Sequence, residues 1–435
     1  MDQVPESVKA LWKPWARLKI RDLDLNVTTP FYSQEEVRKK TKLGNSVSAN
    51  SPLSALFPNS RFSESLLPPL SFESASTALL SDPQLACRPD SFGYSLSESE
   101  SIFPFKGWPR CSSLWNQTYT TFSFSPHNRS FQLQCKGNRE AEYVLGPVGP
   151  WTFPLQEELE PFLQVQRMKG TEVQLKGNED FVVARCGQES QFDIAATEPL
   201  YNARRHQEAI RAVLPNTRPK IVMLLVLDSF SRRHFYQKLP RTLHYLSSLQ
   251  SSPYLLLDFK FHNVQGDGSV QNTIPLFSPF PGSSSQRYGD MLNATALWVS
   301  AKRQGFLSTV YFEGCDQMFP DEVGRTVHID HLSRQFMCSV AALGGYSSLK
   351  SSSGQRCVGP HMAHVYGFEY TKKVLRMYGG ANRLVYQHYE AAHEATGLHA
   401  ETIDEDLEAY LSEIVAEFGQ NNDLILYLMA DHGMR

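Results

Sequence analysis

No stretch of this chain approaches the roughly 20 consecutive apolar residues that a membrane-spanning helix needs, because the longest aliphatic runs, such as Ile221–Leu227, are strand-sized. No membrane span is therefore expected within it. There is no surplus of positive charge either: Lys and Arg total 42 against 45 Asp and Glu, so no basic field is available to hold a nucleic acid. Residues Met1–Lys19 carry charges and prolines where a secretory leader would need an unbroken apolar core. None of the seven cysteines stands in a Cys-x-x-Cys pair, which excludes the common structural zinc knuckle and a thioredoxin-like centre. No Gly-x-Ser-x-Gly elbow occurs, which argues against a serine hydrolase of the α/β type.

What is present points to a folded, exported protein. With 435 residues and 41% hydrophobic content the chain is long enough for two or three packed domains. Cysteines at 87, 111, 135, 186, 315, 338 and 357 are spaced as disulfide partners rather than as a metal knuckle. Asn26, Asn116, Asn128 and Asn293 head glycosylation sequons. Together these features predict an extracellular or secretory-lumen location, with the true N-terminus outside the sequence given.

Three regions differ in pattern. Residues 1–102 are largely Ser- and Pro-rich without a sustained period and read as irregular. Residues 103–200 alternate with period two. One hairpin is expected from Thr118–Phe124 through a turn at Pro126–Asn128 to Phe131 and Leu133, and a second from Val173 and Leu175 through Gly177-Asn178 to Phe181 and Val183. That predicts a small β-rich domain with spaced cysteines. Residues 201–435 alternate apolar strand-like runs, at Ile221–Leu227, Tyr254–Phe261, Leu307–Phe312, Leu384–Tyr386 and Leu424–Met429, with helical segments. The clearest helix has Thr402 and Glu405 as a capping box and Gly419 as its stop. The prediction is an α/β domain built on a mostly parallel sheet flanked by helices.

In such sheets functional groups collect at the carboxyl ends of the strands. Asp228 ends the first strand-like run and Asp431-His432-Gly433 follows the last, so both runs deliver metal-ligand chemistry to one edge. The plainer reading of Asp228 is the cap of the next helix. Between them, a Gly-rich turn at residues 265–268 leads into a helix-like stretch at Ser269. Its hydroxyl would sit where a helix dipole and a metal lower its pKa, or would merely cap that helix. Thr273, one turn inside, is the weaker nucleophile candidate. The segment from His388 to His399 holds three His and two Glu, suiting a second metal or a general acid.

This order of elements resembles the alkaline phosphatase superfamily, and most closely its sulfatase-like branch known as domain of unknown function 229. The segments Leu227-Asp228-Ser229-Phe230-Ser231-Arg232, His393-Glu394-Ala395-Thr396-Gly397 and Ala430-Asp431-His432-Gly433 carry the similarity. The resemblance implies an alkaline-phosphatase-like fold and a metal site of Asp228, Asp431 and His432. It also implies Ser269 as nucleophile with Asn272 near it, and His393 as a catalytic group. Glu394, His393 and His399 become stand-ins for a second metal site. The final histidine of phosphatase members would lie beyond Arg435, implying a domain truncated at its C-terminus. A Ser where sulfatases carry a modified Cys favours phosphate over sulfate esters. The expected function is thus a metal-dependent ester hydrolase or transferase using zinc, with manganese, magnesium or calcium as alternatives. The rival expectation is a non-catalytic ectodomain that keeps the fold.

Overall fold

The computed structural model describes residues 111, 118–146, 165–176, 179–194, 200–249, 253–256, 264–266, 268–277, 296–314, 329–344, 356–393 and 399–433. The expectations for residues 1–102 fall outside these. Strands β1 (Tyr119–Ser125), β2 (Ser130–Cys135), β3 (Ala141–Gly146), β4 (Gln166–Arg167), β5 (Glu172–Gln174), β6 (Phe181–Cys186) and β7 (Glu189–Ile194) come first, followed by α1 (Leu200–Arg211). Then come β8 (Lys220–Leu227), α2 (Arg232–Lys238), α3 (Pro240–Ser248), α4 (Ser269–Phe277), α5 (Leu297–Arg303), β9 (Leu307–Phe312), β10 (His331–Leu332) and α6 (Arg334–Gly344). The described elements end with β11 (Cys357–Val358), β12 (His361–Met362), α7 (Ala363–Met377), β13 (Arg383–Tyr389), α8 (Asp404–Phe418) and β14 (Asp423–Met429).

Five strands form one parallel sheet in the order β10-β9-β13-β8-β14. Helices cover both faces, so its inner strands are apolar on both sides, as the unbroken run at Ile221–Leu227 requires. Alternation along each strand sorts the side chains into two cores. Met223, Leu225 and Leu227 of β8, Tyr311 of β9, and Val385 and Tyr389 of β13 face the core formed with α7 and α8. Leu224 and Val226, Phe312, and Leu384 and Tyr386 face the other, where Phe277 of α4 and Trp298 of α5 pack. That second face carries the site.

The period-two region forms two small antiparallel sheets, β1-β2-β5 and β4-β3-β6-β7. The first expected hairpin is present as β1 and β2, joined by an exposed turn that holds Asn128. The second is not formed. β5 pairs with β2, whereas β6 lies between β3 and β7. Burial explains the difference: Val182 and Ala184 of β6 pack on Phe131 and Leu133, while Phe181 and Val183 join the core of the large sheet. A strand wanted on both faces takes the centre of a sheet rather than one arm of a hairpin. The Cys135–Cys186 disulfide joins β2 to β6, and Cys111–Cys357 ties residue 111 to β11.

Helix caps are supplied across the tertiary structure. The Thr402 hydroxyl donates to the His399 carbonyl, and α8 has no side-chain cap, so the expected capping box is absent. Asp404, the first residue of α8, instead accepts from the Arg241 and Thr242 backbone N–H groups at 3.0 and 2.9 Å. It thereby caps α3, whose first residue Pro240 needs no donor. Replacing Asp404 with Ala is expected to lower the stability of the chain by about 1–2 kcal/mol in urea unfolding, the usual cost of a lost cap. The Tyr254–Phe261 run forms no strand over Tyr254–Leu256, and its remainder lies outside the described residues.

Candidate metal centre at the carboxyl edge of the sheet

Because β8, β13 and β14 run parallel, their carboxyl ends arrive together, with β8 between the other two. Asp228 continues the parity of Leu224 and Val226, Asp431 that of Met429, and His388 that of Tyr386. All three therefore turn to the face where α4 lies. One ligand atom from each falls within 4.8 Å of the others.

Asp228 is not the cap of α2. Ser231 takes that role, its hydroxyl accepting from the His234 N–H at 3.1 Å. Asp228 is left for the site, where Oδ2 accepts from His388 Nε2 at 3.1 Å and from the Ser269 hydroxyl at 3.2 Å. Its Oδ1 accepts from the Ser229 hydroxyl at 2.9 Å. Burial alone would push the Asp228 carboxyl up. The hydrogen bond and charge of His388, with the charge of His393, outweigh it and hold the carboxyl at about 2. Burial works against the charged form of His388 as well, but the Asp228 carboxylate pulls its pKa above the ordinary value.

Ser229 has a left-handed backbone, φ 60°, which is strained in a non-glycine residue. The turn points its N–H at Asp431 Oδ1, 3.2 Å away, so one residue ties the tips of β8 and β14 together. The other Asp431 oxygen, Oδ2, is buried and has no hydrogen-bond partner among the described residues. An orphaned carboxylate oxygen beside a second buried carboxylate is costly unless a cation joins them. His432 Nδ1 lies 2.7 Å from the Gly433 carbonyl, which only accepts, so Nδ1 carries the ring proton. Nε2 faces Ser269 Oγ at 3.2 Å and a carboxylate oxygen of both Asp228 and Asp431 at 3.6 Å. Two carboxylates and two imidazoles on one small volume suit a divalent cation.

Ser269 opens α4. Its hydroxyl is engaged with Asp228 and His432, within reach of a helix N-terminus. Asn272 does not face the centre. Its side chain accepts from the Gln265 and Gly266 N–H groups and donates to the Gly266 and Gly268 carbonyls, fastening the Gly-rich turn that presents Ser269. The Thr273 hydroxyl is turned inward, donating to the Ser269 carbonyl from a fully buried position. His393 lies just past β13, half-buried, with its charge felt at Asp228. His399 sits in the helical turn before α8, and Glu394 lies outside the described residues.

His388 is the member of the centre that a reading of the sequence does not single out as a ligand. It is part of the His-rich segment, but its role follows from being the sixth residue of β13 and from sharing the parity of Tyr386.

Fold and centre together define an α/β protein with a parallel five-stranded sheet and a candidate divalent-cation site at its carboxyl edge. The chain belongs to the family described as protein of unknown function (DUF229), whose model matches residues 157–435. No curated protein matches it. The two disulfides are of the kind typical of secreted or lumenal proteins, and no helix among the described residues is long and apolar enough to cross a membrane.

Proposed function

We propose that this chain is a metal-dependent hydrolase or transferase of the alkaline phosphatase and sulfatase kind, acting on phosphate or sulfate esters in the extracellular space or secretory lumen. One observation carries the reading: the Ser269 hydroxyl, at a helix N-terminus, lies 3.2 Å from both Asp228 Oδ2 and His432 Nε2, beside the orphaned Asp431 oxygen.

Asp228, Asp431, His432 and His388 are the residues that would hold a cation; their mixed oxygen and nitrogen set favours zinc, then manganese, over magnesium or calcium. A divalent cation bound there neutralises ester oxygens and lowers the pKa of a nearby hydroxyl. The rest is done by the chain. Ser269 Oγ attacks the phosphorus or sulfur, the ester bond breaks, and the alcohol departs. The hydroxyl proton has an acceptor at Asp228 Oδ2, which already takes its hydrogen bond. His393, just past the end of β13, would protonate the leaving alcohol. Water then cleaves the Ser269 ester, or a second alcohol takes the group and makes the enzyme a transferase. An unmodified Ser favours phosphate over sulfate. An exposed Asn128 in the β1–β2 turn agrees with a glycosylated, exported chain.

The test is hydrolysis of p-nitrophenyl phosphate, bis-p-nitrophenyl phosphate and p-nitrophenyl sulfate, with bound metal measured in parallel. Turnover of a phosphate substrate that stops in EDTA and returns with zinc or manganese is expected. Metal uptake without turnover of any of the three would favour the non-catalytic ectodomain, and no uptake at all would remove the metal reading.

A further inference from the structure

We propose that Tyr386 is a positioning residue for His388, and that its hydroxyl sets how readily the centre accepts a cation; this rests on the metal reading above. The Tyr386 hydroxyl lies 2.7 Å from His388 Nδ1, and Nε2 of the same ring faces Asp228 Oδ2 at 3.1 Å. Phenol, imidazole and carboxylate thus form one buried row. Its surroundings are aromatic, with the ring centroids of Phe277 and Phe312 at 4.7 and 5.6 Å from that of Tyr386, and Phe312 at 6.0 Å from His388. Nδ1 and the Tyr386 hydroxyl therefore serve as each other's partners in a setting where an unpaired polar atom is expensive.

The row has to satisfy two arrangements of the same ring. With no cation, His388 donates from Nε2–H to the ionised Asp228, and Nδ1 has the Tyr386 hydroxyl as its partner. To present Nε2 to a cation, the ring must carry its single proton on Nδ1 instead, and that N–H then needs an acceptor. A hydroxyl can serve both arrangements, because it donates in one orientation and accepts in the other. The proton displaced from Nε2 passes to solvent, and the ring that faces the cation is neutral. Phenylalanine in place of Tyr386 keeps the packing and offers neither function. In Y386F a cation-holding His388 would bury an unpaired Nδ1–H among aromatic rings, and affinity would fall.

The experiment is a calorimetric titration of the full chain with zinc alone, comparing wild type, Y386F, His388→Ala and the double variant, with melting in EDTA as a check on the fold. Y386F is expected to bind zinc about 10–100-fold more weakly, as loss of a partner behind a metal-binding histidine does, and to melt cooperatively in EDTA at a somewhat lower temperature, because the metal-free ring loses the same partner. In the His388→Ala background the Tyr386 substitution is expected to have no further effect, a coupling that mere loss of packing would not produce. Equal affinity in Y386F and wild type overturns the proposal, as does an unchanged penalty once His388 is gone. Should Y386F not fold, isotope-labelled histidine in zinc-loaded wild type reads the same feature by nuclear magnetic resonance. Protonation at His388 Nδ1 supports the proposal and protonation at Nε2 overturns it. A wild-type chain that takes up no zinc overturns the metal reading, and this proposal with it.

Discussion

Replacing Ser269 with Ala is expected to cut kcat/KM for the preferred ester at least about a thousandfold, while zinc affinity changes by no more than a few-fold. The size follows from removing a hydroxyl that opens α4 and lies 3.2 Å from both Asp228 Oδ2 and His432 Nε2, since a covalent route loses its first step with the nucleophile. Affinity is largely retained because two carboxylates and two imidazoles stay in place. Steady-state rates together with metal stoichiometry check both halves. Turnover that survives S269A would end the assignment of Ser269. It would direct attention to water as attacking group rather than to Thr273, whose hydroxyl is committed to the backbone of its own helix.

The second large effect is expected from Asp228→Asn. The amide is nearly isosteric and can still accept from His388 Nε2, so the fold should persist, but one of the two charges facing a cation is gone. Zinc affinity should drop by at least about a hundredfold, and esterase activity with it. A separate signature appears in EDTA. The Asp228 carboxyl is held at about 2 against an ordinary value of 3.8. A depressed carboxyl pKa means that its charge stabilises the fold in full above the ordinary value, and that this contribution is lost as pH falls from there toward 2. The wild type should therefore shed stability over that acidic interval, and D228N should show a shallower decline in melting temperature. Identical acid limbs for the two proteins would refute the account of Asp228 as an ionised, hydrogen-bonded group, independently of any metal.

Much of the fold that positions the centre is legible in the sequence, for reasons tied to particular segments. Ile221–Leu227 is apolar at every position, which an amphipathic helix on a surface would not be, and Leu424–Met429 has the same character. Their acidic ends at Asp228 and Asp431 could be read as neighbours once both strands were placed in a single parallel sheet. β13 was less transparent. Its fully buried span includes Arg383, Gln387 and His388 beside its apolar residues, so that only Leu384–Tyr386 stands out by hydropathy. His388 consequently merged into the His-rich stretch that follows, although counting by twos from Tyr386 would have turned it toward Asp228. The fates of β5 and β6 and the capping of α3 by Asp404 were illegible for another reason. They depend on partners distant in sequence, and tertiary burial overrides local turn and cap preferences.

Two of the four groups around the centre, Asp431 and His432, hang from β14, which among the described strands is hydrogen-bonded on one side alone, to β8. Border strands are the first parts of a sheet to detach, and they do so far more often than the whole protein unfolds. A cation held jointly by β8, β13 and the tip of β14 would act as a rivet for that border, and each transient detachment would in turn open the way for the ion to leave. Retention of the ion and anchoring of the last described strand are then one equilibrium viewed from its two ends.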